Sequence, residues 1–207
     1  MDEILEEKLN QTIKKIFSGQ KYLNLCQYQK RKMIFSYLCN TVSYDYELLE
    51  KITENRLHRT KVSRNPREEL LNAVLNNVGV CNAISQYYKL LLERVGIKSY
   101  CVICDDGTPV NHQLNLVYDS ANGTYSFDDV TSVIFKRGSK KDFFDYDLKQ
   151  ALSKGQGTKR LLHFDEFFFL SEGYINHLIG RKESPFDTMS KLPSNIQSVR
   201  TDKELVF

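Results

Sequence analysis

No stretch of this 207-residue chain approaches the roughly 20 consecutive apolar residues that a membrane-spanning helix needs. No secretory leader is expected either: the N-terminus reads Met-Asp-Glu-Ile-Leu-Glu-Glu, acidic where such a leader is basic and then continuously apolar. The expected setting is cytoplasmic, with delivery by a secretion route that needs no cleaved signal left open. The two Asn-x-Thr sequons, at Asn10 and Asn122, carry little weight without a secretory route. Charge of one sign is scarce: 29 basic residues against 26 acidic give a formal net charge of +3. That balance gives no reason to expect nucleic acid or an anionic membrane as the main partner. The five cysteines, an odd number, argue against a fully paired disulfide framework and for a reducing compartment. No phosphate-cradling Gly-rich loop or dinucleotide fingerprint occurs, so no cofactor is expected. Internal repeats and low-complexity tracts are absent too. The basic cluster Lys136, Arg137, Lys140 and Lys141 surrounds Gly138-Ser139 and reads as a solvated loop, with a docking patch for something acidic as the alternative.

What is present is an ordinary globular composition, 41% hydrophobic, long enough to bury a core. Ile4, Leu5, Leu9, Ile13, Ile16 and Phe17 recur at helical spacing, so residues 2–18 read as an amphipathic helix ending near Gly19. A second helix is expected over 28–42, with Met33, Ile34, Tyr37 and Leu38 buried, and a short third one runs through Leu48 and Ile52. Residues 55–65 read as a polar loop. Pro66 suits the first turn of a helix reaching Asn76, because its missing N–H would have been unpaired there anyway. A further helix spans Asn82–Arg94, closed by Gly96.

The pattern then changes. Ser99–Cys104 is a β-branched strand, Asp105-Asp106-Gly107 a turn, and residues 111–118 alternate as a strand. Asn122-Gly123 signals a hairpin into a strand over 124–128. Residues 147–160 read as a helix start running into a loop, Phe164–Leu170 as a buried strand, and the chain beyond about 180 as a partly mobile tail. Helices first and antiparallel strands second make an α+β layout.

Cys81 follows Gly79-Val80 at the junction of a loop and a helix. There the unpaired N–H groups of the first turn and the positive dipole end favour thiolate over thiol. A histidine can complete an ion pair and later protonate a leaving group. The first of the next two strands offers His112, in Asn111-His112-Gln113-Leu114-Asn115, 31 residues after Cys81. The second offers Asp129, in Phe127-Asp128-Asp129-Val130-Thr131, another 17 residues on. A carboxylate beside the imidazole fixes its tautomer.

Gly79-Val80-Cys81, with a helix ending at Gly96-Ile97, resembles the nucleophile segment of bacterial transglutaminase-like proteins, relatives of papain. His112 with Asn115-Leu116-Val117 is similar to their His-x-x-Asn-x-Val strand, and Asp129-Val130-Thr131 to their Asp-x-Thr. The helix carrying Ile34 and Tyr37, ending in Tyr44-Asp45-Tyr46-Glu47, resembles the stretch that precedes their core. The resemblance covers residues 28–135. It implies a papain-like α+β core with the nucleophile helix packed on an antiparallel sheet, and catalytic Cys81, His112 and Asp129. It divides the chain into a helical extension at 1–27, a catalytic domain at 28–180 and a tail at 181–207. Leu114 and Ser132 stand where family members commonly carry Trp, and Ala83 where they often carry Gly.

His112 competes with His58, in a basic loop, with His177, on a surface helix, and with His163, which precedes the aromatic strand. Asp128 competes with Asp129, which the following Val-Thr favours. For an oxyanion the expected donors are the Cys81 backbone N–H and a side chain of Tyr44, Asn77 or Asn111. Cys101-Val102-Ile103-Cys104 has zinc-like spacing, but positions three apart on a strand face opposite sides and no second ligand pair is apparent, so no metal is expected. The reading is an enzyme that forms a thioester with a protein or peptide substrate. Hydrolysis is favoured over amine transfer, because related cross-linking enzymes exclude water with tryptophans and this chain has none. A non-catalytic binding module on the same scaffold is the alternative from another class. Oligomeric state is not legible.

Overall fold

Helices dominate the first half of the structure and strands the second. The computed structural model describes residues 3–19, 22–58, 65–104, 112–135, 140–141, 143–145, 161–163 and 168–170. The expected turn at 105–107, the loop over 147–160, residues 164–167, Lys136 and Arg137 of the basic cluster, Asn111, His177 and the tail lie outside them.

Helix α1 (Glu3–Ile16) carries Glu3 and Glu6 in its first turn and Lys14 and Lys15 in its last, opposing the helix dipole at each end. Leu5, Leu9 and Phe17 join the main core, and the Thr12 hydroxyl lies 3.2 Å from that of Tyr87. Helix α2 (Gln27–Thr41) buries Arg31, Ile34, Phe35 and Leu38, an i, i+3, i+4, i+7 stripe with a charged first member. Met33 and Tyr37, expected to be buried, are only partly so. Helix α3 (Tyr46–Leu57) runs further than expected, into the segment read as a loop. Helix α4 (Pro66–Asn76) starts as foreseen at proline. Asn65 caps it by accepting from the backbone N–H of Arg67 and Glu68, at 3.2 and 3.4 Å.

Helix α5 (Cys81–Arg94) is the centre of the packing. It buries Ile84, Tyr87, Tyr88, Leu91 and Leu92 and touches α1, α2, α4 and the sheet. Truncating one such residue to alanine costs about 2–5 kcal/mol. Gly96, at φ +78°, lets the chain leave the helix.

Two short strands, β1 (Ser43–Tyr44) and β2 (Val78–Gly79), pair in parallel. The main sheet is antiparallel, in the order β5-β4-β3-β6-β7, with β3 (Ser99–Cys104), β4 (His112–Asp119), β5 (Thr124–Asp128), β6 (Leu161–His163) and β7 (Phe168–Leu170). Strand β4 does not alternate in burial as expected. His112 to Val117 are all buried, because this strand sits between β5 and β3 with both faces covered. The β4–β5 hairpin closes through Ser120–Gly123. Gly123 supplies the left-handed φ of +66°, and the Asp119 carboxylate accepts from Ala121 N–H at 2.9 Å. Helix α6 (Val130–Ile134) follows β5 directly and was not expected from its β-branched sequence.

Candidate active site

The loop that delivers Cys81 is held at several points. Asn77 ends α4 with φ +57°, and its carbonyl accepts from Ser43 N–H at 2.8 Å. The Gly79 carbonyl accepts from Asp45 N–H at 3.0 Å. A Cβ at Gly79 would lie 3.2 Å from the Cβ of both Ala73 on α4 and Ala83 on α5, so glycine is what allows the two helices to close around β2. Cys81 then opens α5, partly exposed, with its sulfur at the amino end of the helix.

Strand β4 is fastened to the same end of α5. The Ser85 hydroxyl donates to the Gln113 carbonyl at 3.0 Å, and the Asn115 amide donates to the Ser85 carbonyl at 3.0 Å. This brings His112 to Cys81, and their side chains are hydrogen-bonded. The other ring nitrogen, Nε2, lies 2.8 Å from Asp129 Oδ2. Since Nε2 is engaged there, Nδ1 is the nitrogen left for the sulfur. Asp129 is fully buried and is the N-cap of α6, not a strand residue. Its carboxylate also accepts from Ser132 N–H at 2.9 Å and Ser132 Oγ at 2.6 Å. The structure therefore brings together the three residues singled out in the sequence.

The electrostatics follow from this packing. Burial pushes the Cys81 thiol up, but the hydrogen bond and charge of His112, with the backbone N–H groups of Gln113 and Asn82, outweigh it and leave it below its ordinary value. Burial alone would depress His112. The charge and hydrogen bond of Asp129, reinforced by Cys81, instead raise it to about 10. Asp129 is pushed up by burial and pulled down further by His112 and Ser132, so it stays ionised. Both shifts favour a thiolate–imidazolium pair over a neutral thiol and imidazole. Cys39, by contrast, is pushed up to about 12 by burial.

Asp128 is committed elsewhere. Arg31 Nε lies 2.5 Å from its Oδ2 and Arg31 Nη2 donates to its Oδ1 at 2.7 Å; the Tyr88 hydroxyl donates at 2.7 Å and Asp145 N–H at 2.8 Å. His58 is exposed at the end of α3. His163 lies on β6 opposite Val102, on the far side of β3 from β4, and its side chain lies outside the described residues. The Tyr44 ring packs on Tyr46 and Phe135, at centroid distances of 5.3 and 5.0 Å. Cys101 is buried, with the Asn115 amide 3.8 Å from its sulfur, and among the described residues no three His, Cys, Asp or Glu side chains cluster as a metal site.

Sequence reasoning missed Ser132, Arg31 and Tyr88. Asp129 with Ser132 three residues on carries a capping signal. Arg31 betrays itself only by sharing a helix face with Ile34 and Leu38.

No family model matches the sequence, and no curated protein matches it either. Solved structures do. A transglutaminase ("TGase") crystal structure is 17% identical with a TM-score of 0.53, over 75% of this chain and 38% of that one. A candidate cysteine protease from Cytophaga hutchinsonii is 19% identical with a TM-score of 0.42, over 64% of this chain and 39% of that one. Rad4–Rad23 bound to a 6-4 photoproduct UV lesion is 11% identical with a TM-score of 0.47, over 98% of this chain and 51% of that one. The fold is α+β and transglutaminase-like. The chain spans 38–51% of the length of these neighbours. Among the described residues no helix is long and apolar enough to cross a membrane.

Proposed function

We propose that this chain is a cysteine-dependent acyl-transfer enzyme that hydrolyses peptide or glutamine-type amide bonds. Cys81 is the nucleophile, His112 the acid and base, and Asp129 the group that orients the imidazole. One observation carries the reading: the imidazole that bonds the Cys81 sulfur is held by a buried carboxylate at 2.8 Å on its other nitrogen.

The chemistry follows. Thiolate Sγ attacks the acyl carbon, the carbonyl electron pair moves to oxygen, and the oxyanion expels the amine as imidazolium delivers its proton to nitrogen. A thioester and a neutral His112 remain. Water, deprotonated by His112, attacks the thioester and expels the thiolate, which restores the thiolate–imidazolium pair, and the acid product ionises to solvent. Asp129 stabilises the imidazolium throughout without taking its proton. The absence of tryptophan supports water, rather than an amine, as the acceptor.

The test is competitive alkylation by iodoacetamide near pH 7, read by peptide mass spectrometry. Cys81 labels faster than the other four cysteines, and His112→Ala slows it about tenfold or more, because an ordinary thiol is only a few per cent thiolate there. Uniform labelling of all five favours a non-catalytic binding module. With turnover established, saturating cadaverine separates the outcomes. Product without the amine is hydrolysis, and product carrying it is protein-glutamine amine transfer.

A further inference from the structure

We infer that the side-chain amide of Gln113 donates a hydrogen bond to the oxyanion formed when Cys81 attacks an acyl carbon. The inference rests on the acyl-transfer reading above and supplies the side-chain donor that reading needs.

Gln113 follows His112 on β4 and is 2% exposed. Its main chain is fixed against the nucleophile from two directions. The backbone N–H donates to the Cys81 sulfur, and the carbonyl accepts from Ser85 Oγ at 3.0 Å, one helical turn beyond Cys81. The side chain therefore leaves the backbone within a few ångströms of the reacting sulfur, and its length allows the amide to reach an atom bonded there.

The polar side chains around it are already engaged. Asn82 accepts from the Gln86 amide at 2.5 Å, Ser85 is spent on the Gln113 carbonyl, and the Asn115 amide is spent on the Ser85 carbonyl. Gln113 Nε2 is buried and has no hydrogen-bond partner among the described residues. A buried N–H donor without an acceptor is costly and rare in folded proteins. One on the residue whose backbone N–H already bonds the reacting sulfur calls for an acceptor brought from outside, and the carbonyl oxygen of the acyl substrate is the acceptor that arrives there. As Sγ bonds to carbon and the π pair moves onto oxygen, the new negative charge strengthens the Nε2–H···O bond, which is the requirement for lowering the barrier. Two of the side-chain donors expected from the sequence have other roles in the packing, and the third, Asn111, lies outside the described residues. The Tyr44 ring is packed against Tyr46 and Phe135, and Asn77 occupies the left-handed C-cap of α4.

The experiment compares two reactions of the same sulfur in the full chain. Acylation by p-nitrophenyl acetate passes through an oxyanion and is read as a nitrophenolate burst. Alkylation by iodoacetamide displaces iodide from sp³ carbon and forms none. Gln113→Leu lowers the acylation rate constant about 10²–10³-fold and leaves Cys81 alkylation within about twofold. Gln113→Met, which keeps the length but has no N–H to donate, gives the same split and serves if the leucine variant does not fold. Equal acylation by wild type and variants overturns the assignment and leaves an ordered water as the partner of Nε2. A parallel fall in both reactions overturns it too, placing Gln113 behind the sulfur's reactivity. Wild-type Cys81 that neither acylates nor outpaces Cys26 in alkylation overturns the acyl-transfer reading itself, and the Gln113 assignment with it.

Discussion

Removing the Asp128 carboxylate separates what holds the site from what reacts in it. Asp128 is fully buried and Arg31 is 2% exposed, and they share two hydrogen bonds, at 2.5 and 2.7 Å. In Asp128→Ala the guanidinium is left, among the described residues, with the Asp145 carboxylate at 2.9 Å, whose side chain is 39% exposed, and the Phe144 ring at 5.1 Å, and Tyr88 loses the acceptor of its hydroxyl. Removing one partner of a buried pair costs about 3–5 kcal/mol, most of it the penalty of an uncompensated buried charge. Against a total stability of about 5–15 kcal/mol this is a large share. With a urea slope of about 2 kcal/mol/M, the unfolding midpoint falls by about 1.5–2.5 M, measured by far-UV circular dichroism. The double variant Arg31→Met/Asp128→Leu removes both charges and recovers at least about 1 kcal/mol of the loss. A midpoint shift below about 0.5 M in Asp128→Ala, or a double variant less stable than the single, refutes the reasoning.

Cys81 alkylation, followed against pH, has its midpoint below the ordinary thiol value of about 8.5, because the net displacement of the thiol is downward; a midpoint at or above that value contradicts the ion pair. Acyl transfer also needs the His112 proton. Since His112 is raised to about 10, activity falls on the alkaline side only as the pH rises through that value, not near 6.5. The same sign governs stability. The His112 contribution is present in full below about 6.5 and is lost as the pH rises through about 10, whereas that of Asp129 is lost as the pH falls below the ordinary carboxylate range of about 4. Gly79→Ala forces a methyl group to 3.2 Å from two other methyls on neighbouring helices. It costs about 1–3 kcal/mol in thermal or urea unfolding and slows Cys81 alkylation; a variant as stable as wild type shows that the helices separate freely.

Much of the scaffold was legible because it obeys local rules. Pro66 and Gly96 mark the ends of helices whose apolar residues repeat every three to four positions, and Asn122-Gly123 marks the hairpin between β4 and β5. The spacing of Cys81, His112 and Asp129 could be read because each lies at or beside the end of such an element. What stayed hidden depends on partners distant in sequence. β1 and β2 are two residues each, too short for any period, and they exist because Ser43 and Asp45 find the carbonyls of Asn77 and Gly79. Val130–Ile134 has the composition of a strand, and becomes a helix because Asp129 caps it through Ser132. Arg31 looks like a solvated charge until α2 meets β5, 97 residues later.

The adjacent carboxylates Asp128 and Asp129 give the site its logic. Both are fully buried, and two bare anions one residue apart in a low-dielectric interior would force one to take up a proton. Each instead has its own cation, Arg31 for Asp128 and the His112 imidazolium for Asp129. The permanent charge is assigned to the position that only holds the structure. The titratable charge is assigned to the position beside the sulfur, where the proposed acyl transfer needs a proton to come and go. Exchanging the roles would fail on both counts: a guanidinium at His112 has no proton to give at neutral pH, and an imidazole at Arg31 could leave Asp128 uncompensated. Asp129 can stay ionised beside a thiolate because its neighbour's charge is already neutralised. The reactivity proposed for Cys81 is thus bounded by a pair of residues that never touch the substrate.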